Sequence, residues 1–76
     1  MDIKWYEYEM RVATKNNGII TRCYEGMSDR DACRRGDIKR LHIEDFFSEV
    51  VAYQVLSLST GKIIDKHVYD TILDMI

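Results

Sequence analysis

Seventy-six residues, 46% of them hydrophobic and 11% aromatic, make one small folded domain and not a disordered chain. With 11 basic and 13 acidic residues the formal charge is −2, and these totals announce neither a polycationic nucleic-acid binder nor an acidic tail. No apolar run approaches the length of a membrane span, and Met1-Asp2-Ile3-Lys4 lacks the apolar core of a secretion signal. The expectation is therefore a reduced cytoplasmic protein with no membrane partner, in a host cytoplasm if the gene is viral.

The clearest local signal is the stretch from Ile3 to Met27, two extended runs meeting at Asn16-Asn17-Gly18. Asn and Gly tolerate the positive φ of a tight hairpin turn, so the stretch reads as a β-hairpin. Tyr6, Tyr8, Met10, Val12 and Thr14 alternate with Trp5, Glu7, Glu9, Arg11 and Ala13, which predicts one dry and one wet face. On this pattern Trp5 lies on the wetter face with Glu7 and Glu9. Two registers fit the turn. A two-residue loop at Asn17-Gly18 pairs Val12 with Cys23; a three-residue loop with Gly18 in the left-handed region pairs Met10 with Tyr24. The second is preferred because it gathers Tyr8, Met10, Val12, Ile20 and Tyr24 on one face.

Ser28 followed by Asp29 and Asp31 reads as a capped helix start, its acids favoured by the positive end of the helix dipole. Arg34, Arg35 and Gly36 suit a helix end, yet Gly inside a helix costs only about 1 kcal/mol, so the helix either stops there or continues through Ile38 and Leu41. From Val50 the alternation of Val51, Tyr53 and Val55 with Ala52, Gln54 and Leu56 predicts a strand. Ser59-Thr60-Gly61 supplies a turn into a short strand at Lys62-Ile63-Ile64. A final helix capped by Asp65 follows from the spacing of Val68, Tyr69, Ile72, Leu73 and Ile76. The predicted fold is α+β, spanning 1–76, with a small antiparallel sheet and its helices packed on one face.

The search for chemistry returns little. His42 and His67 stand in no metal-ligand spacing, and Cys23 and Cys33 form no Cys-x-x-Cys, so no metal or cofactor is assigned. Arg30, Arg34 and Arg35 around Cys33 would lower the pKa of an exposed thiol, but a lone Cys beside Ala32 on a helix reads first as a packing residue. Neither a phosphate-binding Gly-rich loop nor a nucleophile elbow occurs, and no catalytic residue is assigned. The remaining feature is a basic run, Arg30, Arg34, Arg35, Lys39 and Arg40, interrupted by Asp31 and Asp37. Such a run suits an acidic protein surface or phosphates, although no aromatics interleave with it as a base-stacking platform requires.

From Trp5 to Leu58 the order of hairpin, Ser28-capped helix and further strand resembles that of small bacteriophage proteins with a β-β-α-β core. Among these are the phage inhibitor of host RNA polymerase and some anti-CRISPR proteins. The resemblance is one of element order, carries over no functional residue, and leaves the predicted Val68 to Ile76 helix as an addition. It implies a stoichiometric binder of a host enzyme or ribonucleoprotein. The expectation is thus a non-enzymatic protein-interaction module, with Trp5, Tyr24, Arg30, Arg34, Arg35, Lys39 and Arg40 as contact residues. Alternatives are a nucleic-acid-binding accessory protein using the same basic helix, and a self-associating structural protein that forms a homodimer.

Overall fold

Because Tyr8, Met10 and Val12 alternate with charged residues, the first run forms a strand, β1 (Tyr6–Thr14), whose large apolar side chains Tyr8, Met10 and Val12 point to one face. It occupies the middle of a four-stranded antiparallel sheet. On one side it pairs with β2 (Gly18–Gly26), on the other with β3 (Val50–Ser57), and β3 pairs in turn with β4 (Ile63–Val68). The computed structural model describes residues 3–69, and among these there is one helix, α1 (Asp29–Phe46), packed on the apolar face. Since β2 and β3 both run against β1, α1 joins two parallel strands with β1 laid between them, a split β-α-β unit.

The hairpin buries the expected face in a register that differs from both expected ones. Tyr8 stands opposite Tyr24, Met10 opposite Arg22, and Thr14 opposite Gly18, so the pairing is displaced by two residues from the preferred alternative. A shift of two leaves each side chain on its own face. The turn closes early because the Thr14 hydroxyl accepts from Asn17 N–H (3.1 Å) and donates to the Gly18 carbonyl (2.7 Å). Gly18 adopts φ +68°, the left-handed conformation for which the glycine is needed. Lys15 N–H on Glu49 O and Asn16 N–H on Ser48 Oγ then tie the turn to the connection after α1.

Ser28 caps α1, its hydroxyl accepting from Asp31 N–H at 3.1 Å. The helix runs through Gly36, where its backbone passes close over the sheet. A Cβ there would lie 2.9 Å from the Tyr24 hydroxyl and 3.2 Å from Val55 Cγ2. Ala32, Gly36 and Ile43 form the buried stripe, narrow because small residues let the helix sit low on Tyr24 and Val55. Lys39 and Arg40 flank it, the first with its ammonium over the Tyr24 ring and the second with its guanidinium over Tyr69.

The predicted C-terminal helix is corrected over its first turn. Asp65 to Val68 belong to β4, with Tyr53 opposite His67 and Ala52 opposite Val68, and Tyr69 N–H extends the pairing to Val51 O at 2.8 Å. The helical spacing of Val68 and Tyr69 loses to the open edge of β3, whose backbone groups need partners and find them in this segment. Ile72, Leu73 and Ile76 lie outside the described residues. No helix among the described residues is long and apolar enough to cross a membrane.

Candidate functional site

The end of β2 and the start of α1 are locked together by one carboxylate. Asp31 accepts from Met27 N–H (2.9 Å) and Arg35 Nε (2.8 Å), with Arg34 at 3.8 Å. The Met27 N–H, and then Arg35, hold its carboxyl below the ordinary range. A lowered folded-state pKa contributes stability that is complete above the ordinary value of 3.8 and lost as pH falls through the lowered one. The wild-type melting temperature should therefore drop below about pH 4, and Asp31→Asn should flatten that acid limb. Thermal scans between about pH 5 and pH 2 check this; identical limbs for the two proteins would remove Asp31 from the account.

Arg35 in turn lies under Trp5, its guanidinium carbon 5.2 Å from the ring centroid. Trp5 precedes β1, so strand alternation does not govern it, and it meets the helix instead of sharing the open face with Glu7 and Glu9. The indole remains 45% exposed. Beside it, Tyr24, Glu25, Arg35, Ile38, Lys39 and His42 line a shallow cleft between α1 and β2. Ile38 is 52% exposed, a large apolar side chain among cations.

Of the residues named from sequence, the fold brings Trp5, Arg35 and Lys39 to this seam. Arg30 and Arg34 stand further out on the exposed side of α1, and among the described residues Arg30 makes no ion pair. Two others are held by partners within the protein. Tyr24 is a core residue: it faces Tyr8 across the hairpin, and its hydroxyl donates to Ala32 O at 2.6 Å inside the protein. Burial pushes its pKa well up, so it remains a neutral donor. Arg40 is on the opposite flank of the helix, held by Asp37 (3.0 Å) and Glu44 (3.3 Å) with its side chain 17% exposed. Ile38 and His42 were not singled out by local pattern. The available signal was their spacing from Arg34 and Arg35, which puts Arg34 with Ile38 and Arg35 with His42 on adjoining stripes of one helix.

The titratable groups on the far side of α1 build no nucleophile. Cys33 Sγ approaches Ile64 O at 3.9 Å, and burial followed by the negative charge of Asp65 raises its thiol pKa, opposite to what the neighbouring arginines in sequence would do. Asp65 binds His67 Nε2 at 2.8 Å, and His67 stacks on Tyr53 at 4.8 Å between centroids. Asp65 thus acts on both the imidazole and the thiol, and its negative charge opposes formation of the thiolate. Cys23, on the open face, and Cys33 are both free. Among the described residues no three His, Cys, Asp or Glu side chains gather as a metal site would need. Neither a known protein family, nor a curated protein, nor a solved structure matches the chain.

Proposed function

We propose that this protein is a non-enzymatic protein-interaction module that docks a partner protein at the seam between β2 and α1. One observation carries the reading: exposed Trp5 lies against the Arg35 guanidinium, and Arg35 lines one cleft with exposed Ile38 and half-buried Lys39, so that an indole and an aliphatic side chain stand beside cations. Trp and Arg are the residue types that most often dominate binding energy at interfaces. The patch is also anchored, because Arg35 is oriented by Asp31 and Asp31 by the backbone of Met27. A pre-oriented side chain loses less freedom on binding. Stoichiometric occlusion of a larger enzyme or ribonucleoprotein is the mode of action this design suits.

The test is capture from a lysate of the source cells with the tagged full chain, with and without nuclease, comparing wild type, a Trp5→Ala/Ile38→Glu variant and an open-face control, Arg11→Glu. Wild type and control should retain one stoichiometric protein after nuclease treatment. The double variant should lose it, by at least about 30-fold in affinity, as expected of a central aromatic anchor. Its melting curve reports whether the fold is intact. Retention of the partner by the double variant would refute the patch; loss on nuclease treatment would transfer the function to nucleic acid held by Arg30 and Arg34.

A further inference from the structure

Among the described residues the sheet has two outer strands, and they are not alike. β4 is six residues long, pairs through a register shift at Val55/Leu56, and carries Asp65, Lys66 and His67 in succession. Short length, irregularity and charge are the devices by which proteins close an edge to further pairing. β2 has none of the first two. It is nine residues long, pairs with β1 without a shift from Gly18 to Gly26, contains no proline, and has only Arg22 and Glu25 as charges. Every second residue of such a strand turns its N–H and C=O away from the sheet, ready for another strand.

What flanks that edge selects the occupant. On the helix side, Arg22 projects from β2 with its guanidinium over Phe47, and α1 overhangs with Arg35, Lys39 and His42 along the cleft. Of the helix acids, Asp37 and Glu44 are bound to Arg40 on the opposite flank and Asp31 is matched by Arg35, while exposed Asp45 follows Ile38 and His42 on the cleft stripe. On the open side, β2 presents Ile19, Thr21, Cys23 and Glu25, with Glu7, Glu9 and Arg11 on the neighbouring strand, Arg11 bound to Glu9 at 3.2 Å. The two faces of an added strand would thus meet different balances of charge: on the helix side Arg22, Arg35 and Lys39 against Glu25, Asp45 and the Asp31 already bound to Arg35, on the open side Glu7, Glu9 and Glu25 against Arg11.

Resting on the protein-interaction reading above, we propose that the free edge of β2 takes up an extended acidic segment of the partner as a fifth strand. Alternate carboxylates on the helix side meet Arg22, Arg35 and Lys39. Backbone pairing supplies affinity and the charged row supplies selectivity, with neutral residues required on the open side next to Glu25. Trp5 and Ile38 cover the end of the added strand.

The probe is a short peptide of alternating glutamate and valine, titrated into the isotopically labelled full chain, with a lysine and valine peptide as comparator. Binding of the glutamate peptide should shift the β2 amides from Gly18 to Gly26 and slow their hydrogen exchange, with little change along β4. Arg22→Glu/Lys39→Glu should weaken it by about tenfold, the combined worth of two exposed charge pairs, and the neutral Arg22→Gln/Lys39→Gln by less. An open-face variant, Arg11→Glu/Lys66→Glu, should leave it unchanged. Equal binding of the two peptides, shifts centred on the open face or β4, or no shift at all would overturn the strand-addition proposal. If capture still yields a Trp5-dependent partner in that event, the interaction module stands and only its edge mode falls. If the peptide binds β2 and capture yields nothing, the docking reading falls instead.

Discussion

Replacing Gly36 with valine is expected to cost about 3 kcal/mol, a large part of the 4–11 kcal/mol, roughly, that a domain of this size has in total. Even the first carbon of a side chain would stand 2.9 Å from the Tyr24 hydroxyl and 3.2 Å from Val55 Cγ2. Neither neighbour can step aside: Tyr24 is held by its hydrogen bond to Ala32 O, and Val55 is fully buried in the middle of the sheet. Gly36→Ala is the finer instrument. Alanine gains about 1 kcal/mol in helix propensity over glycine, so in the wild-type background the clash and the gain oppose each other. Deleting the hydroxyl with Tyr24→Phe removes the nearest atom, and Gly36→Ala should then become neutral or stabilising. Urea unfolding of the four proteins in this cycle gives the coupling; additive effects would mean that Gly36 is not where helix and sheet meet.

Met10→Ala is expected to destabilise by roughly 2–5 kcal/mol, enough to leave the domain partly unfolded at 37 °C. Met10 is fully buried on β1, the strand flanked on both sides, opposite Arg22 on one neighbour and Val55 on the other. Truncation removes its contacts and leaves a cavity that backbone paired on both edges cannot collapse to fill. Ile19→Ala, by contrast, removes a side chain that is 72% exposed and should change stability by no more than about 0.5 kcal/mol. The comparison in urea separates burial from hydrophobicity, since both substitutions delete a large apolar group. Similar losses at both positions would contradict the face assignment of the hairpin.

The dry face of the hairpin was legible because alternation is a local property of Tyr8, Met10 and Val12. Its register was not, because the turn is closed by the Thr14 side chain and secured by Ser48 and Glu49, groups distant in sequence. The start of α1 could be read from Ser28 and Asp31, which act within one turn. Its continuation through Gly36 depends on Tyr24 and Val55 across the core, and the strand character of Asp65 to Val68 on the vacant edge of β3. The same division runs through the site. Trp5, Arg35 and Lys39 could be picked by residue type, whereas Tyr24 and Arg40 are withdrawn by partners that spacing cannot name: the Ala32 carbonyl for one, Asp37 and Glu44 for the other.

The position of β1 between β2 and β3 also orders events in time. Its pairing with β2 closes a short loop, while its pairing with β3 brings Tyr8 to Ser57 and Val12 to Tyr53 across the whole of α1. Closure of the longer loop costs more chain entropy and is returned only when helix and sheet pack together. The first hairpin is therefore expected to form before β3 joins its inner edge under α1. During that interval both margins of the hairpin are bare. The inner margin is consumed by the protein itself, and the outer margin, β2, is left, among the described residues, as a long edge without a partner strand.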